Sequence, residues 1–209
     1  MEYLPIILTV ALIHLLAVMS PGPDFIMITR NSLVYSRKTG VYSAIGLGLG
    51  ILVHVTYSLV GIGLLISQSI VLFNFIKYLG AAYLIYIGYK SLTAKSSKLA
   101  LDDQNKKEDI SKLAAIRMGF LTNVTNPKVT LFFLSLFTLV INPDTPLFVK
   151  LFMGLEMAVV TSAWFILVAY FISHDLVKSR LNKIQHHAER FIGIVLIALG
   201  IKVALSSAK

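Results

Sequence analysis

The chain has 209 residues, of which 56% are hydrophobic and only 14% charged, with no cysteine and a formal net charge of +9; its mean hydropathy is +0.80. Soluble domains carry about a quarter of their residues as charges, and one soluble core of this length cannot hide so much apolar surface, so lipid is the expected solvent for most of the chain. The absence of cysteine excludes disulfides, thiol catalysis and thiolate metal sites.

Six apolar segments are marked off by charge, at residues 4–29, 40–66, 70–92, 116–141, 147–173 and 191–205. A bilayer span takes about 20 residues, and long apolar runs without period-two alternation exclude strands. The expected fold class is therefore an all-α integral membrane protein with six transmembrane helices. The first segment follows Met1-Glu2-Tyr3 without a basic region and shows no small-x-small cleavage pattern, so it is not expected to be a removable signal peptide.

That first segment runs into Ser20-Pro21-Gly22-Pro23-Asp24. Each proline removes a backbone donor and strips a carbonyl one turn earlier of its partner. The second segment opens with Gly46-Leu47-Gly48-Leu49-Gly50 and carries His54. Its Gly-x-x-x-Gly spacing suits close packing within the protomer or a seam between copies in a homo-oligomer. The third begins Lys77-Tyr78-Leu79-Gly80. Residues 94–115 form a polar connection of mixed charge, expected to be a solvated linker with a helical turn paired through Glu108 and Lys112. The fourth segment holds Asn123 and then Thr125-Asn126-Pro127-Lys128, the fifth holds Glu156, Trp164 and Tyr170, and the sixth opens Arg190-Phe191-Ile192-Gly193. His186 and His187 precede it without an acidic or thiol cluster, so no metal site is expected there.

The third and sixth segments both start as base, aromatic, aliphatic, glycine, and later carry Gly88-Tyr89-Lys90 and Gly200-Ile201-Lys202. One membrane domain is expected, built from two three-helix repeats at 1–93 and 116–209 around the 94–115 linker. With three spans in each, the repeats are inverted, and the first and fourth helices are broken at proline.

Orientation follows from the basic residues. Arg30, Arg37, Lys38, Lys90, Lys95, Lys98, Lys106, Lys107, Lys112, Arg117, Lys178, Arg180, Lys183 and Arg190, fourteen of 19, fall in the connections on one side of six spans. That side is expected to be cytoplasmic, with both termini outside. The positive charge then follows topology, and no nucleic-acid partner is implied.

Paired Gly/Pro-interrupted segments in corresponding halves point to a transporter's binding site. Lys128 falls near the middle of its span, where an ammonium costs about 2.5–3.5 kcal/mol unless it faces the bundle interior. An α-amino acid presents one carboxylate and one ammonium. Lys128 with Asn123, Asn126 and the helix start after Pro127 suits the carboxylate. Asp24 with the carbonyls freed around Pro21, Gly22 and Pro23 suits the ammonium. An Asp24–Lys128 pair that only holds the bundle together is the structural alternative. Asp24, Glu156 and His54 are the candidates for carrying a proton.

Met19-Ser20-Pro21-Gly22-Pro23-Asp24-Phe25, the glycine-rich start of the second segment, Lys77 to Leu84, and Gly119-Phe120-Leu121-Thr122-Asn123 through Lys128 resemble the lysine-exporter superfamily (LysE/RhtB) over almost the whole chain. Phe132-Phe133-Leu134-Ser135-Leu136-Phe137 looks most like its threonine-exporting members. The resemblance implies a six-helix exporter of small amino acids in the bacterial inner membrane, driven by proton antiport, with no cofactor. A membrane-embedded enzyme is disfavoured, since no nucleophile–base set, metal motif or nucleotide loop is visible. A channel or a non-transporting accessory subunit is the other function class.

Overall fold

A computed structural model describes residues 2–68, 70–93, 107–140, 145–172, 190–191 and 193–205. The helices are α1 (Leu4–Met19), α2 (Pro23–Val34), α3 (Arg37–Gln68), α4 (Ile70–Thr93), α5 (Lys112–Val124), α6 (Pro127–Val140), α7 (Leu147–Phe171) and α8 (Gly193–Leu205). No strand occurs among the described residues. Arg37–Gly61 and Leu147–Phe171, 25 residues each, are long and apolar enough to cross a bilayer, and α1 with α2 meets the same test as a pair bent by 57°.

The distribution of polarity is that of a lipid-solvated bundle. On α7, Leu147, Leu151, Leu155 and Val159 recur every four residues and are each more than half exposed. His14, Asp24, Asn31, His54, Asn123 and Asn126 are buried instead. In water this arrangement would expose an apolar stripe and desolvate polar groups for no return.

Both expected breaks are present. α1 stops at Met19, Ser20 and Gly22 are extended, and Pro23 opens α2. The residue before a proline is pushed towards extended backbone, and both Ser20 and Gly22 occupy that position. Pro127 likewise opens α6, and Asn126 caps that helix by accepting the Lys128 N–H at 3.0 Å through its side-chain oxygen. Each new helix thus begins with proline followed by a charged residue, Asp24 in one and Lys128 in the other. The helices also outrun the apolar segments read from sequence: α2 continues to Val34, and α5 starts at Lys112 with Ser111 as its cap.

α3 is central, packed along α5 and α7 and touching α2, α4 and α6. Its glycines make this approach close. A Cβ at Gly46 would strike the Ile116 carbonyl and lie 2.8 Å from the Phe120 amide, and one at Gly48 would lie 2.6 Å from the Ala158 carbonyl. The Gly46/Gly50 motif is therefore taken up inside the protomer, against α5. α4 and α8 cross in opposite directions where Gly88 and Gly193 meet backbone to backbone.

The last part of the linker departs from expectation. Residues 107–111 are not helical, so Glu108 and Lys112 do not share a helical turn. Asp109 instead accepts hydrogen bonds from Ser36 (2.9 Å) and Thr39 (3.0 Å), and Lys112 lies 5.6 Å over the Tyr42 ring. Two hydroxyls at the start of α3 thus draw this stretch of the linker onto the bundle. His186 and His187 lie outside the described residues.

Candidate functional site

The two breaks meet, and each holds the charge of the other. The Asp24 carboxylate accepts from Asn123 Nδ2 at 2.9 Å and from Asn126 Nδ2 at 3.0 Å. The Lys128 ammonium donates to the backbone carbonyls of Ser20 at 2.9 Å and Pro21 at 3.3 Å. Those carbonyls sit at the negative end of α1, where a cation is favoured, and Asp24 lies in the first turn of α2, where an anion is favoured. From sequence, Lys128, Asn123 and Asn126 suit one ligand group and Asp24 with the carbonyls the other. In the structure these two sets are partners of one another.

Asn126 joins the two functions: its oxygen caps α6 while its nitrogen serves Asp24. Asn123 is brought in by a glycine, since a Cβ at Gly50 would lie 2.6 Å from its Oδ1. Pro127 has no N–H to give the carbonyl of Asn123, four residues earlier. Asn126 N (2.9 Å) and His54 Nε2 (3.1 Å) take that carbonyl instead. Because a carbonyl only accepts, Nε2 carries the proton. His54 Nδ1 is 2.6 Å from the Tyr57 hydroxyl, and the ring stacks on Phe133 with centroids 5.5 Å apart.

A cavity of about 50 Å³ lies between the breaks, lined by Asp24, Asn123, Asn126 and Lys128 at one part of its wall and by Phe132, Phe133, Phe165 and Leu196 at another. A second hollow of about 380 Å³ is bordered by Pro21, Gly22, Pro23, Tyr83, Tyr86 and Lys90, and Lys128 borders both spaces. On α4 its border runs from Tyr83 to Ser91, near the C-terminal end of that helix. Pro127 lines neither space, and His54 acts from behind Asn123. Glu156 is separate: it is half-buried on α7, lines neither space, and has no hydrogen-bond or ion-pair partner among the described residues. Trp164 packs in the cluster around Phe25 and Ile28, and Tyr170 lies 5.2 Å from the Arg37 guanidinium; neither lines the cavity or the hollow.

Sequence reasoning missed Tyr83, Tyr86 and Lys90 at the hollow, and gave His14 and Thr161 no place in the cavity wall. Only His14 carried a signal, as an ionisable ring inside an apolar segment. Among the described residues no cluster of three metal-ligating side chains occurs.

No solved structure matches the chain. The chain is 32% identical over 197 residues to an uncharacterized membrane protein, YrhP, of Bacillus subtilis (strain 168), covering 90% of this chain and 93% of that one. It is 28% identical over 204 residues to a threonine efflux protein of Escherichia coli (strain K12), covering 97% and 99%. A threonine efflux protein of Salmonella typhi is 27% identical over 199 residues, covering 95% and 97%. The family of LysE type translocators matches residues 15–207. Apolar helices, paired proline breaks and this match agree: the chain is a multi-pass membrane protein and belongs to the LysE type translocator family.

Proposed function

We propose that the chain is a secondary exporter of small amino acids of the threonine or homoserine kind, working by proton antiport in the inner membrane. The observation that carries this is the crossed pairing of the two breaks, Asp24 on the Asn123 and Asn126 amides and Lys128 on the Ser20 and Pro21 carbonyls. A zwitterion can replace each partner in kind: its carboxylate takes Lys128 from the carbonyls, and its ammonium takes Asp24 from the amides. While the crossed pairs persist, the groups that a zwitterion needs are already occupied. Cargo binding and mutual engagement of the breaks then exclude one another, and loading frees the two halves to rock.

The same geometry supports six spans in two inverted repeats, since Pro23-Asp24 and Pro127-Lys128 open equivalent half-helices. With the basic connections cytoplasmic and both termini outside, the hollow beside Lys90 faces the cytoplasm, as loading for export requires. Proton and cargo ammonium compete for one carboxylate, Asp24, so a proton arriving from outside displaces cargo. One proton moving through 100 mV supplies about 2.3 kcal/mol, enough for roughly a 50-fold gradient of a neutral solute.

The test is uptake into everted vesicles carrying the purified chain, with labelled amino acids and an imposed pH gradient. Threonine or homoserine should accumulate only with the interior acid. Uniform absence of gradient-driven uptake across neutral and basic amino acids would favour an accessory subunit, and uptake that only equilibrates would favour a channel.

A further inference from the structure

The cavity has a second polar wall, away from the breaks. His14 on α1 is 1% exposed and borders the cavity together with Thr161 on α7. The Thr161 hydroxyl is 3.3 Å from His14 Nε2, whereas His14 Nδ1 has no hydrogen-bond partner. The ring is set between Phe132 and Phe133, each with its centroid 6.2 Å away. Buried polar atoms are nearly always satisfied, and this orphaned nitrogen belongs to a ring that borders the cavity, so a solute that widens the cavity can complete its bond.

We propose that His14, oriented by Thr161, is the subsite that reads the cargo's side chain, and that it selects a hydroxyl. This rests on the export reading above and names a specificity determinant within it. A neutral imidazole offers one donor and one acceptor, and Thr161 takes one of them. If the hydroxyl donates to Nε2, Nδ1–H is left to donate; if Nε2–H donates, Nδ1 is left to accept. A cargo hydroxyl serves either tautomer because it both donates and accepts, whereas a methyl serves neither. A cationic side chain would bring an unpaired charge among Phe132, Phe133, Phe165 and Leu196, which disfavours it. The zwitterion is thus held at the breaks while its side chain reaches His14.

The experiment compares threonine with valine, which has nearly the same shape but a methyl in place of the hydroxyl. Transport of both is measured in proteoliposomes for the wild type, His14→Leu, His14→Gln and Thr161→Val. The ratio of kcat/KM for the two solutes does not depend on how much protein folds. The wild type should favour threonine by about ten-fold or more. His14→Leu should bring that ratio near unity while valine transport per folded molecule stays within about three-fold. His14→Gln should keep most of the preference, and Thr161→Val should lose part of it. An unchanged ratio in His14→Leu, or an equal loss of both solutes, overturns the proposal. A wild type that exports without discriminating, or exports neither solute, overturns it alone; the export reading falls with it only when homoserine and the other neutral and basic amino acids are not exported either.

Discussion

Replacing Lys128 with methionine should stop transport at little cost in folded protein. The substitution removes charge-assisted hydrogen bonds to the Ser20 and Pro21 carbonyls, each worth about 1.5–3 kcal/mol. It also removes an ammonium from the membrane interior, returning roughly 2.5–3.5 kcal/mol. The two effects oppose each other, and the methionine stem still fills the space beside Gly22, whose Cβ would lie 3.4 Å from Lys128 Cδ. Folded abundance, followed by fluorescence-detected size exclusion, should stay within about three-fold of wild type. Transport has no such compensation. A cargo carboxylate left without its cation in a buried site loses roughly 3–5 kcal/mol, at least a 100-fold fall in kcat/KM. Asp24→Asn should behave alike. The new oxygen still accepts from one of the two amides, and the new nitrogen can donate to Asn123 Oδ1, which has no partner among the described residues, once that amide turns over. It has no charge for the cargo ammonium. The double variant Asp24→Asn, Lys128→Met separates the two roles. If these residues only brace the bundle, removing both charges relieves the imbalance and activity per folded molecule returns. Recovery to near wild-type transport would refute the binding-site assignment.

Two further outcomes follow from packing and from charge. Gly46→Val should leave little folded protein in the membrane, because its side chain meets the Ile116 and Phe120 backbone of α5, whereas Gly61→Ala, with nothing within 4 Å, should be tolerated; membrane abundance of the two variants decides this. The native chain has no cysteine, so Glu108→Cys should react with an impermeant thiol reagent only in everted vesicles while a C-terminal reporter reads as external, and the reverse pattern would overturn the orientation.

Much of the site was legible because its chemistry is expensive in lipid. A charge beside a proline in the middle of an apolar run demands a partner, and that demand singles out Lys128; Asp24 is singled out as the opposite charge at the matching break. The pairing was not legible. Nothing in the order of residues shows that Asn126 turns its oxygen to the α6 N–H and its nitrogen to Asp24, because this depends on two chain breaks docking across the bundle. Span limits read from hydropathy fell short at Val34 and Lys112 because helices continue past the apolar run where a cap or a polar neighbour sustains them. The Asp109 contact with Ser36 and Thr39 joins segments 70 or more residues apart, beyond any local pattern. Beyond its being an ionisable ring in an apolar segment, nothing in the sequence distinguishes His14; the cavity wall and the orphaned nitrogen do.

The crossed pairs also bear on what the molecule does when idle. A pore lined with an unattached carboxylate and ammonium would draw in water and, with it, ions and protons running down the membrane potential. Here the unloaded breaks occupy one another. On the proposed antiport, a resting bundle closed in this way would let a cell keep many copies in its membrane without dissipating the gradient that drives export.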